Sequence, residues 1–144
     1  MKDPSGSIRT WLYGVLNTTV TYNAVAVPVY SFAPRNAAMP YILLAGQSST
    51  SELEESTKDC YINKQSFTIE IYSSNANGND ATYKVVNTIS DSVLQLVRTR
   101  TAPTISGYTV ISVVLDSMLT DMMDFETNIV AIKILNFTMI IEEV

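Results

Sequence analysis

The chain has 144 residues and a net charge of −5, and only 16% of its residues are Asp, Glu, Lys or Arg, against roughly 25% in an average soluble domain. Although 47% are hydrophobic, no stretch approaches the roughly 18 apolar residues that mark a membrane-spanning helix. Histidine is absent and Cys60 is the only cysteine, which excludes a Ser-His-Asp triad, a His-liganded zinc site and an intrachain disulfide. The pI near 4.5 argues against wrapping nucleic acid by counterion release, although an acidic wall past which DNA slides is compatible with it. No basic segment followed by an apolar one opens the chain, so a secretory signal is not expected.

Residues 1–7 read as an arm with three candidate helix caps, Asp3, Ser5 and Ser7. From Ile8 onward, Ile8, Trp11, Leu12, Val15 and Leu16 recur at helical spacing and predict an amphipathic helix of about three turns. Asn17-Thr18-Thr19 ends it. Residues 25–32 are β-like but carry Pro28, which predicts an edge strand or a strand's first residues. The run Tyr41-Ile42-Leu43-Leu44-Ala45, bounded by Pro40 and Gly46, predicts a buried strand.

Residues 47–60 are rich in Ser and Thr and carry Glu52, Glu54, Glu55, Lys58 and Asp59. They are expected to form a long polar loop, a mobile arm suited to contacts. Phe67, Ile69 and Ile71 alternate with Ser66, Thr68 and Glu70, the period of a half-buried strand. Residues 75–80 read as a turn into a second helix capped by Asn79 or Asp80, with Val86, Ile89, Val93, Leu96 and Val97 as its apolar stripe. Arg98 and Arg100 suit its C-terminal dipole. A strand is expected over 108–115, a loop over 121–126 and a last strand over 129–141. That last strand has a parity conflict, since Ile132 and Ile134 share one face while Leu135, Phe137, Met139 and Ile141 share the other. A bulge near Ile134–Leu135, or burial of both faces, would resolve it. The order predicts one α+β domain over 1–144: a largely antiparallel, mixed sheet of about 4–5 strands with two helices packed on one face.

Candidate chemistry is sparse. General acid–base work needs carboxyls held in a dry pocket, which a Ser/Thr-rich segment around Glu52, Glu54, Glu55 and Asp59 does not provide. Asp121, Asp124 and Glu126 lack the central glycine of a calcium loop. Residues 75–80 lack leading carboxylates and a final Glu, and Cys60 has neither a histidine nor a second cysteine. No glycine-rich phosphate loop is present. No catalytic, metal or cofactor site is therefore expected. Interface candidates are Glu52, Glu54, Glu55 and Asp59 on the polar loop, and Met122, Met123, Asp124 and Phe125 near the C-terminus. Flexible methionines with an aromatic, flanked by acids, suit an adaptable protein-binding surface; a small apolar cluster beneath the loop accounts for them equally well.

In this order the sequence resembles the tail completion, or tail terminator, proteins of long-tailed bacteriophages. The resemblance covers residues 8–98, with a weaker match through the last two strands. It is carried by the helix around Trp11 and Leu12, by Val27-Pro28-Val29-Tyr30, by Met39-Pro40-Tyr41-Ile42-Leu43-Leu44 and by Phe67-Thr68-Ile69-Glu70-Ile71-Tyr72-Ser73, followed by a helix near Asn79. The chain departs where the family shows a charged, glycine-bearing turn, since residues 121–127 mix acidic and apolar residues and lack glycine. The resemblance implies a non-catalytic subunit of a homo-hexameric ring in the virion tail or neck, assembled in the host cytoplasm. It implies contacts with the tail tube protein and the head-completion or connector protein, DNA passing through the lumen, and no membrane. Another phage neck adaptor or host-interaction module of the same α+β layout, also without catalysis, remains open.

Overall fold

A computed structural model describes residues 2–51, 61–75, 81–125 and 128–144. Its elements run α1 (Ser5–Leu16), β1 (Thr21–Tyr22), β2 (Val25–Ala26), β3 (Val29–Tyr30), β4 (Tyr41–Ser51), β5 (Ile62–Asn75), α2 (Ala81–Val97), β6 (Thr104–Ile105), β7 (Tyr108–Asp124) and β8 (Ile129–Glu143). The main sheet has six strands in the order β3-β4-β5-β8-β7-β6. Every neighbouring pair is antiparallel except β3 and β4, and β1 and β2 form a separate hairpin. The expected 4–5 strands become six because two-residue edge strands, β3 and β6, flank four long ones. Pairs that short carry no readable hydrophobic period.

One face of the sheet carries both helices. Ile8, Leu12 and Leu16 of α1 and Val86, Ile89, Val93 and Val97 of α2 join one buried cluster with Ile42 and Leu44 of β4, Phe67, Ile69 and Ile71 of β5, and Leu135, Phe137, Met139 and Ile141 of β8. The strand members alternate along each strand, so they share a face. Phe67 pairs directly with Phe137 in the ladder and their rings stack at 5.2 Å. Trp11 packs against this cluster while staying partly exposed. The expected N-cap of α1 is reassigned: Pro4 occupies it without a side-chain cap. Asp3 instead accepts from the Ser5 N–H at 2.9 Å, and that bond holds its carboxyl below the usual range. Left-handed backbone at Thr18 (φ 62°) turns the chain after α1. Asn23 (φ 50°) and Ala24 (φ 64°) form the two-residue turn of the β1–β2 hairpin, the double positive φ that such turns require.

Three further expectations change. The single edge strand over 25–32 is split, with β2 and β3 on either side of Pro28, whose carbonyl accepts from the Ile42 N–H at 2.8 Å. Gly46 does not end β4, which continues to Ser51 through an irregularity between Leu44 and Gln47; residues 47–51 of the expected polar loop are therefore strand. Residues 121–124 of the expected loop are also strand, because β7 runs to Asp124 and pairs there with Ile129 of β8, with the Phe125 N–H donating to the Asn128 carbonyl at 2.8 Å. The parity conflict in the last strand is resolved without a bulge in β8, whose ladder to β5 is unbroken from Ile129 to Glu142. Val130 and Ile132 are buried on the helix-free face while Ala131 and Leu135 are buried on the other. The bulges lie in β7 instead, between Val110 and Ser112 and between Leu115 and Ser117.

Candidate functional site

The feature with most capacity for recognition is the outer side of β7. β6 pairs only with Tyr108 and Thr109, so from Val110 to Asp124 β7 meets β8 on one side and no described strand on the other. A long unpaired strand displays a row of backbone donors and acceptors, and soluble proteins ordinarily blunt such edges with charge, proline or cover. Here the side chains are apolar. Ile111, Val114, Met118, Leu119, Met123 and Phe125 are 45–56% exposed. The two bulges help create this surface. Ile111 and Asp116 are the extra residues, left without a ladder partner and exposed, and each bulge adds local twist.

The helix-free face behind this edge carries a ladder of hydroxyl and amide side chains that ends on one carboxylate. The Thr68 hydroxyl donates to Asn136 Oδ1 at 2.8 Å, Asn136 Nδ2 donates to Ser117 Oγ at 2.9 Å, and the Thr138 hydroxyl donates to Asp116. These bonds tie β5, β8 and β7 together with few charges. That is one local reason why a chain in which Ser, Thr and Asn make up 41 of 144 residues needs so few ionised groups. Towards β3 the same face carries Tyr41 stacked on Tyr72 at 5.0 Å, with Tyr30 edge-on to Tyr41 at 5.8 Å. The Tyr72 hydroxyl donates to Glu70 at 2.8 Å. Burial, and then the Glu70 carboxylate, hold both the Tyr41 and Tyr72 phenols above the usual range.

The opposite edge is covered from Ile42 to Ala45. Arg9, projecting from α1, donates from Nη1 to the Leu44 carbonyl at 2.9 Å, from Nη2 to the Ala45 carbonyl at 2.9 Å and from Nε to Gln47 Oε1 at 3.2 Å. Gln47 Nε2 in turn donates to the Ser5 carbonyl at 3.2 Å. Thus the irregular stretch of β4, whose carbonyls leave the ladder, is capped by a guanidinium fork from the first helix. β3 covers β4 further along, at Ile42 and Leu43.

Of the interface candidates, Met122, Met123, Asp124 and Phe125 are brought together at the turn end of the β7–β8 hairpin. Met123, Asp124 and Phe125 are exposed and Met122 is half-buried; none joins the core cluster. Glu52, Glu54, Glu55 and Asp59 lie outside the described residues, as do Cys60, Glu126 and the turn at 76–80. Met118 and Leu119 belong to the exposed group but escape the sequence reading, because Asp116-Ser117 looks like a strand end. No apolar alternation marks them, because Asp121 falls in phase with Leu119 and Met123 while Met118 and Met122 occupy the other phase. Among the described residues no group of three or more Cys, Asp or Glu is placed to hold a metal ion, and no helix is long and apolar enough to cross a membrane.

No protein-family model matches the sequence, and no curated protein matches it by sequence. Comparison of folds does find a similar chain. With a TM-score of 0.72 and 12% identity, the chain is similar to a chain of the virion of a native gene transfer agent particle, over 98% of this chain and 99% of that one. The two share an architecture from end to end.

Proposed function

We propose that this chain is a structural virion subunit that caps a phage tail tube as an oligomeric ring, ends tail polymerisation and forms the head–tail joint through which DNA passes. The observation that carries the reading is the end-to-end likeness of fold to a chain of a virion particle. The bare apolar edge of β7 supports it, since a monomer gains nothing from exposing six large apolar side chains along one hairpin. In this reading the protein works by binding alone, without cofactor or metal. Its partners are further copies of itself, the tail tube protein and the head-completion or connector protein. It resides in the virion tail or neck after assembly in the host cytoplasm, and DNA crosses the lumen without specific contacts.

The test is electron microscopy of particles produced with and without the chain. Over-length tails and unattached heads in its absence are the expected result. Tails of normal length joined to heads would refute the capping role and favour a neck adaptor or host-interaction module.

A further inference from the structure

The two edges of the sheet complement one another in shape, charge and level. Beside β3 lies a hollow of about 400 Å³, lined by Tyr22, Val25, Val27, Pro28, Met39 and Pro40. Phe32, 88% exposed, and the exposed Arg35 follow β3 on the next loop. From residue 4 to residue 51 the sequence contains no Asp or Glu, and its charges there are Arg9 and Arg35. Arg9 is engaged on the β4 carbonyls, which leaves Arg35 as the charge of this edge. Across the sheet the composition is reversed at the hairpin end of β7, away from Arg98 and Arg100, which lie beside Val110–Leu115. Residues 101–132 contain no Lys or Arg but four acids, Asp116, Asp121, Asp124 and Glu126.

Register places the complementary parts at one height. Val29 of β3 aligns through Ile42, Ile71 and Lys133 with Thr120 of β7, so the hollow and the exposed end of the hairpin lie at the same level on opposite edges. Because β3 runs with β4 and each later step in the sheet is antiparallel, β7 runs opposite to β3. A neighbour's β7 laid beside β3 therefore continues the antiparallel order with little shift along the strands.

We propose that the hairpin end of one copy seats beside β3 of the next, with Met123 and Phe125 at the apolar hollow and Asp121 and Asp124, on opposite faces of β7, bracketing Arg35. This inference rests on the ring reading for its second copy but adds which two surfaces meet. The contact joins two different patches, so each copy keeps one edge free for the next. Repetition gives a ring if the rotation closes and a filament if it does not.

Charge reversal in the full-length chain tests the contact. Arg35→Glu alone, and Asp121→Lys with Asp124→Lys, should each weaken self-association by about 100-fold through like-charge contact, read by sedimentation. All three changes in one chain should restore it, because every copy then carries both reversed edges. In a Cys60→Ser background, Phe32→Cys combined with Phe125→Cys should give a disulfide ladder beyond dimer under mild oxidant, whereas each cysteine alone should not. Self-association unchanged by the reversals, or a triple variant that stays dissociated with no ladder from the cysteine pair, overturns the contact while leaving any observed ring intact. Reversals that leave self-association intact but block head joining assign the edge to a different virion protein and also overturn it. If the wild-type chain fails to associate either at high micromolar concentration or in particles, the ring reading falls as well.

Discussion

At the β3–β4 side of the sheet, the carbonyls released by an irregular stretch are taken up by Arg9, and a short parallel strand covers what lies further along. At the β7 side, the stretch from Val110 to Asp124 has no described strand on its outer side and exposes apolar side chains. The same hydrogen-bonding chemistry is thus silenced over Ile42–Ala45 and displayed along β7. Unfinished edges invite strand addition and aggregation, and the longest such stretch among the described residues is that of β7. The contrast makes the β7–β8 hairpin the candidate recognition surface among the described residues.

The largest expected effect sets the scale for the comparison, because it concerns the core that both edges share. Phe137→Ala removes a ring that is 1% exposed and stacked on Phe67. It should cost about 3–5 kcal/mol in chemical denaturation. Next comes the guarded edge. Arg9→Met removes three charge-assisted hydrogen bonds from the β4 carbonyls and Gln47, and a loss of about 2 kcal/mol is expected, with a rise in light scattering as the second edge opens. Unchanged stability and scattering would break the contrast between the edges. On the open edge the order of effects inverts. Leu119→Lys, at a side chain 56% exposed, should change monomer stability by less than about 0.5 kcal/mol while abolishing self-association in sedimentation.

A smaller effect concerns the tyrosines that flank the β3 edge. The Tyr41 and Tyr72 phenols are held above their ordinary range by burial and by Glu70, so the fold favours their neutral forms. That contribution is complete below the unfolded tyrosine value of about 10 and is lost as pH rises towards the raised folded values. Thermal unfolding should therefore show an alkaline decline in stability, and Tyr72→Phe should make that decline shallower. An identical decline in the variant would detach Tyr72 from it.

The parts of the fold legible in the sequence are those where burial on one face imposes a period. The stripe Ile8, Leu12, Leu16 and the alternation Phe67, Ile69, Ile71 are both one-sided, and each element lies where its pattern places it. β7 was only half legible for a physical reason. Each of its bulges inserts one residue and resets the alternation, so a window spanning Asp116 and Ser117 averages two phases and reads as a strand end. The last strand defeated the same rule differently, since burial of Val130 and Ile132 on the helix-free face overlies burial of Ala131 and Leu135 on the other. At the candidate site, composition pointed to Met123 and Phe125 as recognition groups. The strand that presents them, and its reach back to Met118 and Leu119, required the ladder.

Hydrogen exchange of the β7 amides, compared between dilute protein and the assembled form, tests most directly whether this edge is where copies of the chain meet. The account predicts that the outward-facing amides between Val110 and Asp124 exchange rapidly in the dilute protein and become protected on assembly, while those paired with β8 stay protected in both. Equal exchange of the outward amides before and after assembly would contradict it.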